Sequence, residues 1–144
     1  MDTIETLLRQ LTLEEKISML SGKNAWENQN IERLSIPSIK MTDGPNGARG
    51  DSLSGETAAS FPVSISLAST WNLALVEKIG NSLGNEAKTK DADVLLAPTI
   101  NLHRHPLGGR HFECFSEDPY LTGELATSYV RGVQSTGVAA CLKH

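Results

Sequence analysis

At 144 residues, 39% hydrophobic and 21% charged, the chain has the composition of a folded globular protein and not of a disordered one. Its 13 basic and 17 acidic side chains give a net charge of −4 without like-charged blocks, which argues against a nucleic-acid or membrane partner. No apolar segment is long enough to span a bilayer, Met1-Asp2-Thr3-Ile4-Glu5 is unlike a signal peptide, and Cys114 and Cys141 lack metal-ligand spacing, so a cytoplasmic protein with free thiols is expected.

Ile4, Leu7, Leu8 and Leu11 recur at helical spacing and predict a short amphipathic helix over residues 2–10. Thr12-Leu13-Glu14-Glu15 has the form of a capping box and should open a second helix. That helix is expected to run to about Ser21, stop near Gly22 and bury Leu13, Ile17 and Leu20. Ile39-Lys40-Met41-Thr42 reads as a brief strand, followed at once by Asp43-Gly44-Pro45-Asn46-Gly47-Ala48-Arg49-Gly50. Gly-Pro and Asn-Gly are strong turn signals. An isolated Asp-Gly is ordinarily only a turn. Here the carboxylate stands at a strand's end with a guanidinium six residues later, so turn and site readings stand level.

Residues 51–60 are small and polar, a loop without recognisable chemistry. A second strand is expected around Ser64–Ala68. Trp71 to Lys90 predicts a helix lined by Leu75, Val76, Ile79, Leu83 and Ala87, with Gly80 and Gly84 letting it lie close to a sheet. Val94 to Ala97 suits a strand buried on both faces. The loop after it carries Asn101, His103, Arg104, His105, Arg110, Glu113, Ser116, Glu117 and Asp118, and Gly108-Gly109 lets it turn sharply. Such density of donors and acceptors fits a polar-ligand site better than a solvated connector. Asp118-Pro119 then opens a helix, with Asp118 as its cap and Glu117 near the positive end of its dipole. It carries Leu121, Leu125, Tyr129 and Val133 and closes near Gly137, before a last strand over Val138–Leu142.

Strands alternating with helices predict an α/β fold with parallel strands, whose carboxyl ends share one edge. Asp43, Arg49, the 103–118 loop, Lys143 and His144 should therefore converge on one face. Such a set can hydrogen-bond several vicinal hydroxyls, at about 1.5–3 kcal/mol for each bond to a charged group. Neither common Gly-rich phosphate motif is present.

Asp43-Gly44-Pro45-Asn46-Gly47-Ala48-Arg49, Pro106-Leu107-Gly108-Gly109-Arg110 through Ser116-Glu117-Asp118-Pro119, and Lys143-His144, in this order, resemble the N-terminal part of family 3 glycoside hydrolases of the β-glucosidase type. The resemblance implies the N-terminal part of a (β/α)8 TIM-type barrel over residues 1–144, incomplete in this chain. It implies that Asp43 binds the distal hydroxyls of a glucosyl ring, with Arg49 supporting that subsite. Arg110 would reach the ring hydroxyls from the central loop, Lys143 and His144 would complete the grip, and Glu113 and Glu117 would be supporting residues. It further implies a retaining, exo-acting enzyme that needs no cofactor and takes small-molecule β-glucosides or oligosaccharides. In the family the nucleophilic Asp belongs to a later barrel strand and the acid/base Glu to a later domain, so no catalytic residue is expected here. The chain stops at Lys143-His144 directly after an apolar run, an expected truncation whose partner would be the missing C-terminal part of the same protein. A non-catalytic sugar-binding remnant, or a β-xylosidase or N-acetylglucosaminidase, is the alternative.

Overall fold

A computed structural model describes residues 3–50 and 57–144. The start of the first predicted helix at residue 2 and the 51–56 part of the polar loop lie outside the described residues. The chain divides into two compact units, Met1–Lys40 and Met41–His144.

The first unit holds helices α1 (Thr3–Gln10) and α2 (Leu13–Met19) and a one-turn 3₁₀ segment over Glu32–Leu34. The capping box forms as predicted: the Glu15 amide donates to Thr12 Oγ1 at 3.2 Å, and the Thr12 amide donates to a Glu15 carboxylate oxygen at 2.9 Å. That carboxylate also takes the Arg33 guanidinium at 2.7 Å, and these bonds hold it below the ordinary carboxylate range. The expected burial of Leu13, Ile17 and Leu20 does not occur; all three are exposed, and among the described residues of this unit the buried apolar side chain is Ile31. α2 has only seven residues, and no apolar layer of its own unit covers that face.

The second unit is built on three short parallel strands, β1 (Met41–Asp43), β2 (Val94–Leu96) and β3 (Ala139–Ala140), in the order β1-β2-β3. Asp43 pairs with Leu96, and Leu95 with Ala140, so the strands' carboxyl ends share one edge as predicted. β1 begins two residues later than expected, because Lys40 pairs with Glu27 of the first unit's own hairpin-like segment and β1 proper starts at Met41. β3 is shorter than the predicted 138–142. Beyond it, Lys143 still bridges Thr99 in parallel.

Ser64–Ala68 is a helix, α3, and not a strand. Ser64, Leu67 and Ala68 are its buried residues, spaced three and four apart, which is the helical period and not the strand period. The long helix α4 spans Leu73–Thr89, capped by the Asn72 side chain, which accepts from the Leu75 amide at 3.0 Å. Val76, Leu83 and Ala87 are fully buried, whereas Leu75 lies towards solvent. Helix α5 spans Pro119–Gln134, and Asp118 caps it as predicted by accepting from the Tyr120 amide at 2.9 Å.

Gly80 and Gly84 do permit a close approach, but to α5 and not to the sheet. A β-carbon on Gly80 would stand 2.3 Å from the Tyr129 carbonyl oxygen, and one on Gly132 would stand 2.1 Å from that of Glu77. Backbone therefore meets backbone where the helices cross, and no side chain larger than hydrogen fits between them. The core lies between this helix pair and the sheet, around Leu67, Val76, Leu83, Leu95, Phe115, Leu125, Tyr129 and Val133.

Candidate active site

The site belongs wholly to the second unit. Asp43 ends β1, and its backbone is fixed before its side chain has any role. The Arg49 amide donates to the Asp43 carbonyl at 2.9 Å, the Gly50 amide to Thr42 Oγ1 at 2.9 Å, and the Gly47 amide to the Gly44 carbonyl at 3.3 Å. Gly44 has φ +139°, and a β-carbon there would overlap the Gly47 carbonyl, so the Asp-Gly signal marks a turn that only glycine fits.

Lys143 reaches this turn from just beyond β3 and donates to Asp43 Oδ1. Arg49 stands 4.0 Å from Asp43 Oδ2 on the open side. Partial burial pushes the Asp43 carboxyl up, but the Lys143 hydrogen bond and charge, with Arg49 and the Gly44 amide, outweigh it and hold the group below its ordinary range.

From the loop after β2, Arg110 forms a two-pronged pair with Glu113: Nε donates to Oε1 at 2.8 Å and Nη2 to Oε2 at 2.6 Å. The same Nη2 lies 3.0 Å from His144 Nε2. A guanidinium can only donate, so His144 Nε2 is the acceptor in this contact. The Arg110 bond lowers the Glu113 carboxyl below its ordinary range, against a smaller upward push from burial.

The loop itself is braced by histidines. His103 Nε2 donates to the Cys114 carbonyl at 3.1 Å, and the His103 and His111 rings stack at 5.0 Å. Cys114 is buried with its thiol pushed up by desolvation, a structural and not a reactive cysteine.

These elements border a cavity of about 540 Å³ lined by Asp43, Asn46, Arg49, Arg110, Glu113 and Lys143, with Ala58–Ser60 and Phe112 completing the wall. Five of the seven expected site residues are thus brought to one cavity. His144 joins it through Arg110. Glu117 does not: it is exposed, does not line the cavity, and stands beside the α5 cap. Its position near the positive end of the α5 dipole is a local, structural reason for its place.

Sequence reasoning missed Asn46, Phe112 and the 58–60 wall. Asn46 and Phe112 lay inside the quoted motifs without a chemical signal of their own. Among the described residues, no group of three or more His, Cys, Asp or Glu side chains is placed to hold a metal ion, and no helix is long and apolar enough to cross a membrane.

Among the described residues, three cations, Arg49, Arg110 and Lys143, face two carboxylates, Asp43 and Glu113, across the cavity. This mixture of fixed donors and acceptors is able to hydrogen-bond several hydroxyls at once.

Known proteins match this chain in sequence and fold. Residues 6–144 match the glycosyl hydrolase family 3 N terminal domain. The chain is 56% identical over 142 residues to β-glucosidase B of Emericella nidulans, covering 98% of this chain and 17% of that protein. It is 54% identical over 143 residues to a β-glucosidase of Rhizobium radiobacter, covering 98% and 18%. A crystal structure of β-glucosidase from Kluyveromyces marxianus superposes with a TM-score of 0.94 at 47% identity, covering 98% of this chain and 17% of that one. β-Glucosidase 3B from Thermotoga neapolitana in complex with α-D-glucose superposes at 0.90 and 42% identity, covering 99% and 23%. The chain therefore spans less than a quarter of each of these relatives. The parallel α/β unit is part of a TIM-barrel-type region, and the chain belongs to glycoside hydrolase family 3 through that family's N-terminal domain.

Proposed function

We propose that residues 1–144 form the opening part of a catalytic barrel and supply the glycone-binding half of a retaining, exo-acting β-glucosidase. The observation that carries this reading is the Asp43 carboxylate held between Lys143 and Arg49 at the carboxyl edge of the sheet, with the Arg110–Glu113 pair on the same cavity. Asp43 accepts from ring hydroxyls while Lys143 and Arg110 donate to them. A retaining glycosidase also needs a nucleophilic carboxylate and a second carboxyl acid whose pKa is raised. Asp43 and Glu113 are both lowered and both engaged by cations, so neither suits the acid role. The reactive pair belongs to sequence outside these residues. The matching relatives are β-glucosidases, one of them seen with glucose, which favours glucosidase over xylosidase or N-acetylglucosaminidase.

The test is a hybrid enzyme in which this chain replaces the matching segment of the Rhizobium radiobacter β-glucosidase. Hydrolysis of an aryl β-glucoside within about tenfold of the parent, a barrier change of about 1.4 kcal/mol or less, is expected. A folded but inactive hybrid, or one that prefers the β-xyloside, overturns the reading.

The lowered carboxyls also set a pH dependence. A carboxylate whose folded pKa is depressed contributes fully above its unfolded value and loses that contribution as pH falls through the folded value. For Asp43 the unfolded value is about 3.9. The ratio of glucose inhibition constants between the Asp43→Asn hybrid and the unsubstituted hybrid is therefore expected to stay constant from pH 7 to about 5 and to collapse only below about 4. A collapse centred near neutrality would show that Asp43 is not held ionised.

A further inference from the structure

We propose that Glu86, on the outer part of α4, is a positioning residue for the sugar site: its carboxylate clamps together the two chain segments that wall the cavity. This inference rests on the sugar-binding reading. Glu86 Oε2 accepts from the Ala48 amide at 3.3 Å, and Oε1 accepts from the Ala59 amide at 2.5 Å. One carboxylate thus ties residues 38 and 27 positions away in sequence.

The two segments also meet directly. The Phe61 amide donates to the Asn46 carbonyl at 2.7 Å, and a β-carbon on Gly47 would stand 2.3 Å from the Ala59 carbonyl oxygen. The clamp is anchored on both helices: Lys90 Nζ donates to the Thr57 carbonyl at 2.7 Å, and the buried Tyr129 hydroxyl donates to the Pro45 carbonyl at 2.9 Å. Ala87, next to Glu86, is fully buried, so the core fixes where the carboxylate stands.

The connection to the ligand is short. Ala48 is itself fully buried, so its amide has no ready water partner if Glu86 is removed. Arg49 follows it directly and returns its amide to the Asp43 carbonyl. On the other segment, Ala59 and its neighbour Ser60 line the cavity. A shift at either amide therefore moves Arg49 against Asp43, or moves the opposite wall.

The experiment uses the hybrid enzyme with Glu86→Ala, Glu86→Gln and, as a control on the exposed face of the same helix, Asn85→Ala. KM and the glucose inhibition constant are measured at a temperature where circular dichroism shows each protein folded. Glu86→Ala is expected to raise both by about tenfold, the scale of one lost hydrogen bond to a charged group, with a smaller change in kcat. Glu86→Gln should fall between, because its amide oxygen keeps one acceptor while its NH₂ faces the second backbone N–H. Asn85→Ala should match the unsubstituted enzyme. A folded Glu86→Ala with unchanged KM and inhibition constant, only its melting temperature lowered, overturns the proposal. If Glu86→Ala does not fold, a folded Glu86→Gln with unchanged constants overturns it equally. An unsubstituted hybrid that neither hydrolyses glucosides nor is inhibited by glucose sinks the sugar-site reading instead, so the two failures are told apart.

Discussion

Asp43→Ala in the hybrid enzyme is expected to lower kcat/KM by about 10²- to 10⁴-fold, corresponding to two hydrogen bonds to a charged group at about 1.5–3 kcal/mol each. Lys143 occupies one side of the Asp43 carboxylate and Arg49 approaches the other, which leaves acceptor capacity directed into the cavity. Removing the carboxylate also strands Lys143, whose side chain is only 16% exposed, without its counter-charge. Contacts to ring hydroxyls tighten as the sugar distorts, so kcat should fall while KM rises. Lys143→Met should give a loss of similar kind, and the double variant should lose much less than the product of the two single losses, since each removes the other's partner. A folded Asp43→Ala enzyme with unchanged kinetics on an aryl glucoside would refute the assignment.

What could be read from the residues alone follows from the range over which each signal acts. The Thr12 box, the Asp118 cap and the turn after Asp43 are local, because their partners lie within a few positions, and all three form as expected. The apolar stripes of α4 and α5 are periodic over four turns and are equally plain. Ser64–Ala68 is a helix where a strand is expected, because five residues hold too little of either period to separate the two. Gly80 signalled close packing, but a missing β-carbon does not name the partner, which proved to be the Tyr129 turn of α5. Parallel topology brings Asp43, Arg110 and Lys143 to one cavity, so their convergence was legible. Glu86 was not: as one polar residue on an amphipathic helix it looks like any solvated position, and its partners are dozens of residues away.

Expressed alone, the 144-residue polypeptide is expected to aggregate or to unfold without a sharp transition, and to hydrolyse no aryl β-glucoside. Ile4, Leu13, Ile17, Leu20 and Trp71 are each more than half exposed, a load of apolar surface that isolated soluble domains rarely carry. A second apolar groove of about 540 Å³ runs between α5 and the end of β3, along Ile100, Leu102, Ala126, Val130 and Leu142. Among the described residues only β2 of the three-stranded sheet is paired on both sides, which leaves β1 and β3 as edge strands. Closing such a sheet into a barrel removes those edges, which three strands cannot do. The expected lack of turnover has a separate reason: among the described residues, the two carboxylates that line the cavity, Asp43 and Glu113, are both held below the ordinary carboxylate range by their cations, which suits neither to act as a general acid. Light scattering and urea unfolding of the purified polypeptide, with a glucoside assay against an empty-vector preparation, decide both points. A monodisperse monomer with one cooperative transition would defeat the folding claim, and turnover that co-purifies with the chain would defeat the catalytic one.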